Sequence, residues 1–283
     1  MADSNKTNND ASMAITDIVS GLMDRVMENV LWRDPFIPEQ HHAAKPLYAA
    51  LVPDEIFKGS HFERRFVTPF GNVWEKLAVA VAKEKHGDCQ QGVSISGTIK
   101  TERLRRIQEI LNRLEHPGRN QDRVAPNWAN ELHYILEGGG KEIPATVTCD
   151  LFVTSQSKRK MYSFELKGPL PNSDQTKVSK EKMFKLLAMD QAVVDEAYYA
   201  LPYNPYGSKA EYAWPFPMRW FDMRSDPSVL IGDEFWDLIG GKGTYQAFIS
   251  SINSLGLEYR NRIYREYLGI EPPENAQQPM KLK

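Results

Sequence analysis

The sequence has little cysteine, almost no net charge and no long apolar run, and each shortage excludes a class of protein. Its two cysteines, Cys89 and Cys149, give neither a disulfide framework nor zinc-site spacing, so we expect buried thiols in a reducing cytoplasm. A formal net charge of -2 excludes a polycation that binds nucleic acid by bulk attraction, so any such surface has to be local. No stretch approaches the roughly 20 apolar residues of a membrane span, and the N-terminus lacks the basic and then apolar order of a signal peptide. The sequence therefore predicts a soluble, cytoplasmic protein without a membrane contact.

What the sequence does contain is enough apolar material for a folded domain. With 283 residues, of which 41% are hydrophobic, the chain can bury one substantial core. Residues 1–10 are almost entirely polar, which predicts a flexible tail. We expect residues 11–283 to form a single domain with an N-terminal helical part (11–140) and a sheet part (141–283).

Helical periodicity dominates the first half of the chain. Apolar residues recur at helical spacing from Ser12 until Asp34-Pro35, and a proline-rich stretch with short helical pieces follows. Further helices are predicted after a turn at Gly71-Asn72, from about Thr101 to Glu115 and from about Trp128 to Glu137.

The middle of the chain changes to strand periodicity. Thr146–Val153 and Met161–Lys167 are apolar segments on either side of a polar turn, which predicts two adjacent strands. A long helix is predicted from about Asp174 to Ala200, strands at about 211–221 and 228–231, and helices from near residues 232 and 244. This order predicts an α/β fold in which helices cover a mixed sheet.

Chemically useful side chains meet on the two predicted strands. Because side chains alternate between the faces of a strand, Ser163, Glu165 and Lys167 share one face. If the preceding strand lies alongside, Asp150 adds a second carboxylate at the same place. Two carboxylates can hold a hard divalent cation such as Mg²⁺, and an adjacent ammonium can orient an attacking water. The pattern therefore indicates phosphodiester hydrolysis.

An ordinary structural explanation of the same residues stays open. Glu-x-Lys is a common exposed charge pattern on strands, and an aspartate at a strand end is unremarkable. The apolar context of both segments, the Gly168-Pro169 break and the lysine-rich helix that follows favour a catalytic centre.

Asp150, followed by Glu165-Leu166-Lys167 on the next strand, resembles the centre of the PD-(D/E)xK nucleases, whose core is a mixed central sheet flanked by helices. The proline in that name is absent, because Cys149 precedes Asp150. Two further segments are similar to the TdeIII-type branch of type II restriction endonucleases; they read FELKGPLPNSDQ from Phe164 and LIGDEFW from Leu230. These stretches lie in the C-terminal half, and the N-terminal half matches only loosely.

The resemblance implies an Mg²⁺-dependent type II restriction endonuclease that cuts double-stranded DNA at a short specific site, which we expect to be GGNCC-like. In this interpretation Asp150 and Glu165 bind the metal and Lys167 assists the attacking water. A homodimer is expected, because cutting both strands of a symmetric site calls for two centres related by a two-fold axis. A cognate DNA methyltransferase is the expected genetic partner.

The resemblance also gives Glu75 a metal-linked catalytic role, since many such enzymes carry an acid on a helix before the first catalytic strand. The alternative is an ordinary first-turn glutamate that the helix dipole favours.

DNA contacts are expected from polar residues on the predicted helices and loops. Lys177 and Lys180 are candidates for phosphate contacts. Amide and guanidinium groups distinguish bases in the major groove, and the candidates for base contacts are Asn172, Gln175, Arg103 and Arg106. Two other functions stay open: a repair or recombination nuclease of the same superfamily, and a non-catalytic DNA-binding module.

Overall fold

The structure is a computed structural model that describes residues 2–116, 124–191 and 193–278, with side chains from residue 12 onward. Within these ranges the chain divides into two compact units. Residues 78–245 make up the sheet unit, and residues 8–77 together with the segment that starts at Gln246 make up the helical unit. In the described residues, no helix is long and apolar enough to cross a membrane.

Helices and strands are numbered here in chain order. The helices are α1 (Ala2–Glu28), α2 (Pro38–Ala44), α3 (Pro46–Ala49), α4 (Asp54–Gly71), α5 (Val73–His86), α6 (Thr101–Glu115), α7 (Trp128–Leu136), α8 (Ser173–Leu187), α9 (Asp233–Gly240) and α10 (Thr244–Arg262). The strands are β1 (Gly87–Lys100), β2 (Glu142–Ser155), β3 (Lys160–Leu166), β4 (Met189–Asp190), β5 (Glu196–Leu201) and β6 (Val229–Ile231).

The sheet has the order β4-β1-β2-β3-β5-β6 among the described residues. Neighbouring strands from β4 to β3 are antiparallel, whereas β3, β5 and β6 are parallel. The predicted mixed sheet is therefore confirmed. The predicted hairpin is confirmed as well, since β2 and β3 pair across a turn at residues 156–159.

Helices cover both faces of this sheet, as the sequence predicts. On one face, buried residues of α6, α7 and α8 share a core with Tyr199 of β5, and Trp128 stacks on Phe184 with ring centroids 4.6 Å apart. On the other face, Phe235 of α9 meets Phe164 of β3 at 5.8 Å between ring centroids. Phe164 thus packs β3 against α9, while Glu165 on the opposite face of the strand contacts Ser179 of α8.

The helical unit is built around the first and last long helices. Tyr259 of α10 donates hydrogen bonds to the Ser20 carbonyl at 3.0 Å and to the Asp24 carboxylate at 2.9 Å, both in α1. Helix α1 begins at Ala2, so the backbone of residues 2–10 is helical, and the flexibility expected of residues 1–10 stays a prediction.

The predicted division at residue 140 differs from the structure, because β1 lies within the supposedly helical part. This strand contains many polar residues and two internal glycines, Gly92 and Gly97, so its strand propensity is weak. Pairing with β2 along its full length stabilises it. Helix α4 was not predicted either. The single domain expected for residues 11–283 stays a prediction.

The prediction of one helix from 174 to 200 is wrong, because α8 ends at Leu187 and β5 occupies Glu196–Leu201. Gln191 has a φ of 58°, which a right-handed helix does not accommodate. The strand predicted at 211–221 is also wrong. Short 3₁₀ turns occupy Lys209–Glu211 and Pro217–Arg219, and the prolines there lack the amide that a strand ladder needs. The strand at 228–231 is confirmed as β6.

A buried ion pair in the sheet unit gives a stability prediction. Lys180 of α8 is wholly buried, and its Nζ lies 2.5 Å from Oε2 of Glu131, whose side chain is 7% exposed. The Lys180→Met variant leaves the Glu131 carboxylate buried without its cation, so we expect a loss of about 3–5 kcal/mol in the free energy of unfolding. Urea denaturation measures this loss.

The matched control is Lys185→Met on the same helix. Lys185 pairs with Glu181 at 2.7 Å, and both side chains are partly exposed to water. Breaking such a pair costs about 0.5 kcal/mol. Equal losses for the two variants would contradict the assignment of Lys180 as a buried structural cation.

Candidate active site

Asp150 lies where β2 parts from β3. The paired stretch of the two strands runs from Leu151 opposite Phe164 to Ser155 opposite Lys160, so Asp150 stands just beyond its end. One carboxylate oxygen, Oδ2, accepts a hydrogen bond from the Leu166 amide at 2.8 Å and another from Lys167 Nζ at 2.6 Å. Asp150 therefore fixes the end of β3 and contacts the lysine that this strand presents.

Glu165 is the buried carboxylate of the site, with 2% of its surface exposed. Its Oε2 lies 3.6 Å from Lys167 Nζ and accepts a hydrogen bond from Ser179 Oγ of α8 at 3.3 Å. Its Oε1 contacts the Lys182 ammonium, also from α8. The structure thus brings Asp150, Glu165 and Lys167 together, which is the arrangement expected from the alternation of the strands.

The charge state of Glu165 follows from its surroundings. Burial raises the pKa of the Glu165 carboxyl above its ordinary value, and the negative charge of Asp150 raises it further. The ammonium groups of Lys167 and Lys182 act in the opposite direction without cancelling the shift. Burial likewise raises the pKa of the neighbouring Cys149 thiol to about 11, with the Glu165 charge as the next contribution. Cys149 is therefore a neutral thiol at physiological pH, as expected.

These residues fit a hard divalent cation by the chemistry of their donors. The two carboxylates already converge on one cationic group, since oxygens of both lie within 4 Å of Lys167 Nζ. Among the described residues no cluster of three or more His, Cys, Asp or Glu forms a metal site. A pair of carboxylates suits Mg²⁺, which keeps several waters and takes other ligands from a substrate phosphate.

Lys182 and Ser179 belong to the site, although the sequence predicted no role for either. Lys182 Nζ lies 3.8 Å from Asp150 Oδ1 in addition to its contact with Glu165. The available signal for Lys182 is its spacing of three from Ser179, because residues i and i+3 lie on the same side of a helix. That signal becomes useful only once Ser179 is known to face Glu165.

The prediction that Lys180 contacts a phosphate is wrong. The side chain is wholly buried, its ammonium pairs with Glu131 and the Trp220 carbonyl, and burial lowers the pKa of Lys180. An ammonium without solvent access cannot reach a DNA backbone.

The other basic residues predicted to contact DNA form hydrogen bonds or ion pairs within the protein. Their DNA contacts stay predictions. Arg103 donates to the Ala188 carbonyl at 2.8 Å and to Asp190 at 3.0 Å. Arg106 donates to the Tyr134 carbonyl at 2.6 Å, and its guanidinium lies over the Tyr134 ring. Lys177 pairs with Glu115 at 2.5 Å.

The remaining candidates lie near helix starts. Asn172 caps α8 by accepting a hydrogen bond from the Gln175 amide at 2.8 Å, and the Gln175 side chain is exposed. Glu75 occupies the first turn of α5, as predicted, and belongs to the helical unit. Base contacts by Asn172 and Gln175 and a catalytic role of Glu75 stay predictions.

Comparison with known proteins gives consistent matches. The family described as type II restriction endonuclease, HinfI, matches residues 11–256. The type II restriction enzyme HgiCII of Herpetosiphon aurantiacus is 26% identical over 227 residues, which cover 79% of this chain and 82% of that enzyme. HgiBI and HgiEI of the same organism are type II restriction enzymes that match at 26% identity and 81% coverage of their own length.

The raised pKa of Glu165 predicts a pH-dependent stability in the absence of divalent cations. A folded state that holds this proton more tightly than the unfolded state loses stability as the pH rises from the ordinary carboxyl value through the folded pKa. Glu165→Gln cannot ionise there and escapes this loss. We therefore expect the stability of the variant relative to the wild type to increase as the pH rises above 4.5, measured by urea denaturation in EDTA.

Glu181→Gln, on the partly exposed Lys185 pair of α8, is the control and should follow the wild-type pH profile. Parallel curves of stability against pH for the wild type and Glu165→Gln would contradict the raised pKa of Glu165.

Proposed function

We propose that Asp150, Glu165 and Lys167 form the Mg²⁺-dependent centre with which this protein hydrolyses DNA. The chain belongs to the HinfI family of type II restriction endonucleases. The observation that carries this proposal is the Lys167 ammonium, which lies 2.6 Å from Asp150 and 3.6 Å from Glu165. Members of this family are site-specific deoxyribonucleases, so the chemistry required is attack of water on a phosphodiester.

Asp150 and Glu165 would hold the divalent cation. A bound Mg²⁺ supplies a positive charge beside the scissile phosphate and lowers the pKa of a bound water. Asp150 is kept in place by the Leu166 amide at 2.8 Å, and Glu165 by Ser179 at 3.3 Å. These bonds fix the orientation of both carboxylates before substrate arrives, which is the condition for electrostatic catalysis.

Lys167 would orient the attacking water and offset the negative charge that grows on the phosphate. Its Nζ also donates to the Leu166 carbonyl at 2.9 Å, so the side chain folds back over the end of β3. A lysine ammonium carries only hydrogen-bond donors and a positive charge, so it is suited to stabilise an oxyanion. Glu75 would add a further acid near the metal, as the family resemblance implies.

The finer specificity rests on that resemblance and on symmetry. We propose cleavage at a GGNCC-like palindrome by a homodimer that places one centre on each strand. A cognate methyltransferase would protect the host DNA, and the cytoplasm is where the enzyme would meet incoming DNA. The residues proposed to contact the DNA are Asn172, Gln175, Arg103, Arg106 and Lys177.

Incubation of purified protein with phage DNA and Mg²⁺ tests the proposal. We expect discrete bands from the wild type and from Lys185→Ala, whose lysine pairs with Glu181 and not with the two carboxylates. Asp150→Ala and Lys167→Ala should reduce the cleavage rate by about a thousandfold or more, as expected for groups that stabilise transition-state charge. EDTA should abolish cleavage in every case.

Two other results identify the competing functions. A smear of products that depends on Asp150 would indicate a repair or recombination nuclease that uses the same centre. Intact DNA with Mg²⁺ and with Mn²⁺ would indicate a non-catalytic DNA-binding module and would contradict the proposal.

A further inference from the structure

We propose that Lys182 is an exchangeable counter-ion of the active site: it neutralises the carboxylates while no metal is bound and moves to a DNA phosphate when the metal binds. This inference rests on the proposed function of Asp150 and Glu165 as metal ligands. It gives a role in divalent-cation affinity and in phosphate binding to a residue outside the Asp-Glu-x-Lys pattern.

The position of Lys182 carries the first step. Its Nζ contacts Glu165 Oε1 and lies 3.8 Å from Asp150 Oδ1. Lys167 meets the other oxygen of each carboxylate, Oδ2 of Asp150 and Oε2 of Glu165. Each lysine thus spans both carboxylates, and Lys182 occupies the oxygens that Lys167 leaves available.

Charge balance carries the second step. Once Glu165 is ionised, it and Asp150 contribute two negative charges and Lys167 and Lys182 two positive charges, so the four side chains then sum to zero in the absence of metal. A buried ionised carboxylate such as that of Glu165 is costly without a cation beside it, which explains why an ammonium lies there. A divalent cation on the same carboxylates would leave two excess positive charges. Repulsion then favours the departure of one ammonium toward a negative group.

The contacts of the two lysines indicate which one leaves. Lys167 is tied to the Leu166 carbonyl at 2.9 Å and to Asp150 at 2.6 Å. Lys182 projects from α8 with a quarter of its side chain exposed, and its ion pairs are with the two carboxylates alone among the described residues. The flexible lysine stem lets the ammonium move without displacing the helix. A phosphate of bound DNA is the anion that the proposed reaction brings to this place.

Calorimetric titration with Ca²⁺ in the absence of DNA tests the metal-free half of the proposal. Lys182→Met removes the competing cation, so we expect about tenfold tighter Ca²⁺ binding than in the wild type. Lys182→Arg keeps the charge and should retain the wild-type affinity. Asp150→Asn should weaken binding, which identifies the measured heat with this site. Lys182→Gln is a second neutral variant that replaces Lys182→Met if the latter fails to fold.

Unchanged or weaker Ca²⁺ binding in both neutral variants, with Asp150→Asn still weakened, would overturn the counter-ion role and leave the proposed function intact. Absence of Ca²⁺ binding in the wild type would contradict both. A merely structural role for Lys182 does not tighten binding of a cation, so the direction of the change distinguishes the two roles.

Binding of phage DNA fragments at saturating Ca²⁺ tests the second half. Each phosphate contact contributes about 0.9 to the steepness of the plot of log affinity against log salt concentration. Lys182→Met should therefore make this slope shallower by about 0.9, the contribution of one contact. Lys185→Met, which removes a lysine that pairs with Glu181 and not with the two carboxylates, should keep the wild-type slope. An unchanged slope in Lys182→Met would overturn the transfer of Lys182 to a phosphate.

Discussion

Antiparallel pairing of β2 with β3 determines which side chains meet in the candidate active site. Their register ends at Leu151 opposite Phe164, so the next residues along the two strands, Asp150 and Glu165, lie side by side. Asp150 then accepts from the Leu166 amide at 2.8 Å, which anchors its carboxylate to the end of β3. Slippage by one residue would move Glu165 to the other face of the strand, so the core packing that fixes β3 also fixes the catalytic geometry.

Helix α8 supplies the second constraint. Ser179 and Lys182 of this helix contact the two oxygens of Glu165, while its buried side pairs Lys180 with Glu131 beneath the sheet. One helix therefore carries a structural lysine and an active-site lysine two residues apart. The result is a carboxylate pair that two ammonium groups hold in place.

The sequence was sufficient to predict the fold class, from the order of its helices and strands, and the meeting of Asp150, Glu165 and Lys167, from local alternation. Asp150, Glu165 and Lys167 follow from two apolar strands and one turn. The sequence was insufficient for β1 and β5. Strand β1 is polar and is stabilised by pairing with β2, which the local sequence does not show. In β5, Tyr198 and Tyr199 continue an apolar pattern that also suits a helix. Lys180 and Lys182 look alike in sequence, and only packing distinguishes the wholly buried lysine from the one in the site.

The central claim is that Asp150 and Glu165 hold one divalent cation between them. Anomalous diffraction from crystals grown with Mn²⁺ tests it directly, because Mn²⁺ favours the same oxygen ligands as Mg²⁺. The account predicts a peak within about 2.0–2.3 Å of an oxygen of each carboxylate. A peak on other residues, or a Mn²⁺ ion that leaves one of the two carboxylates unliganded, would contradict it.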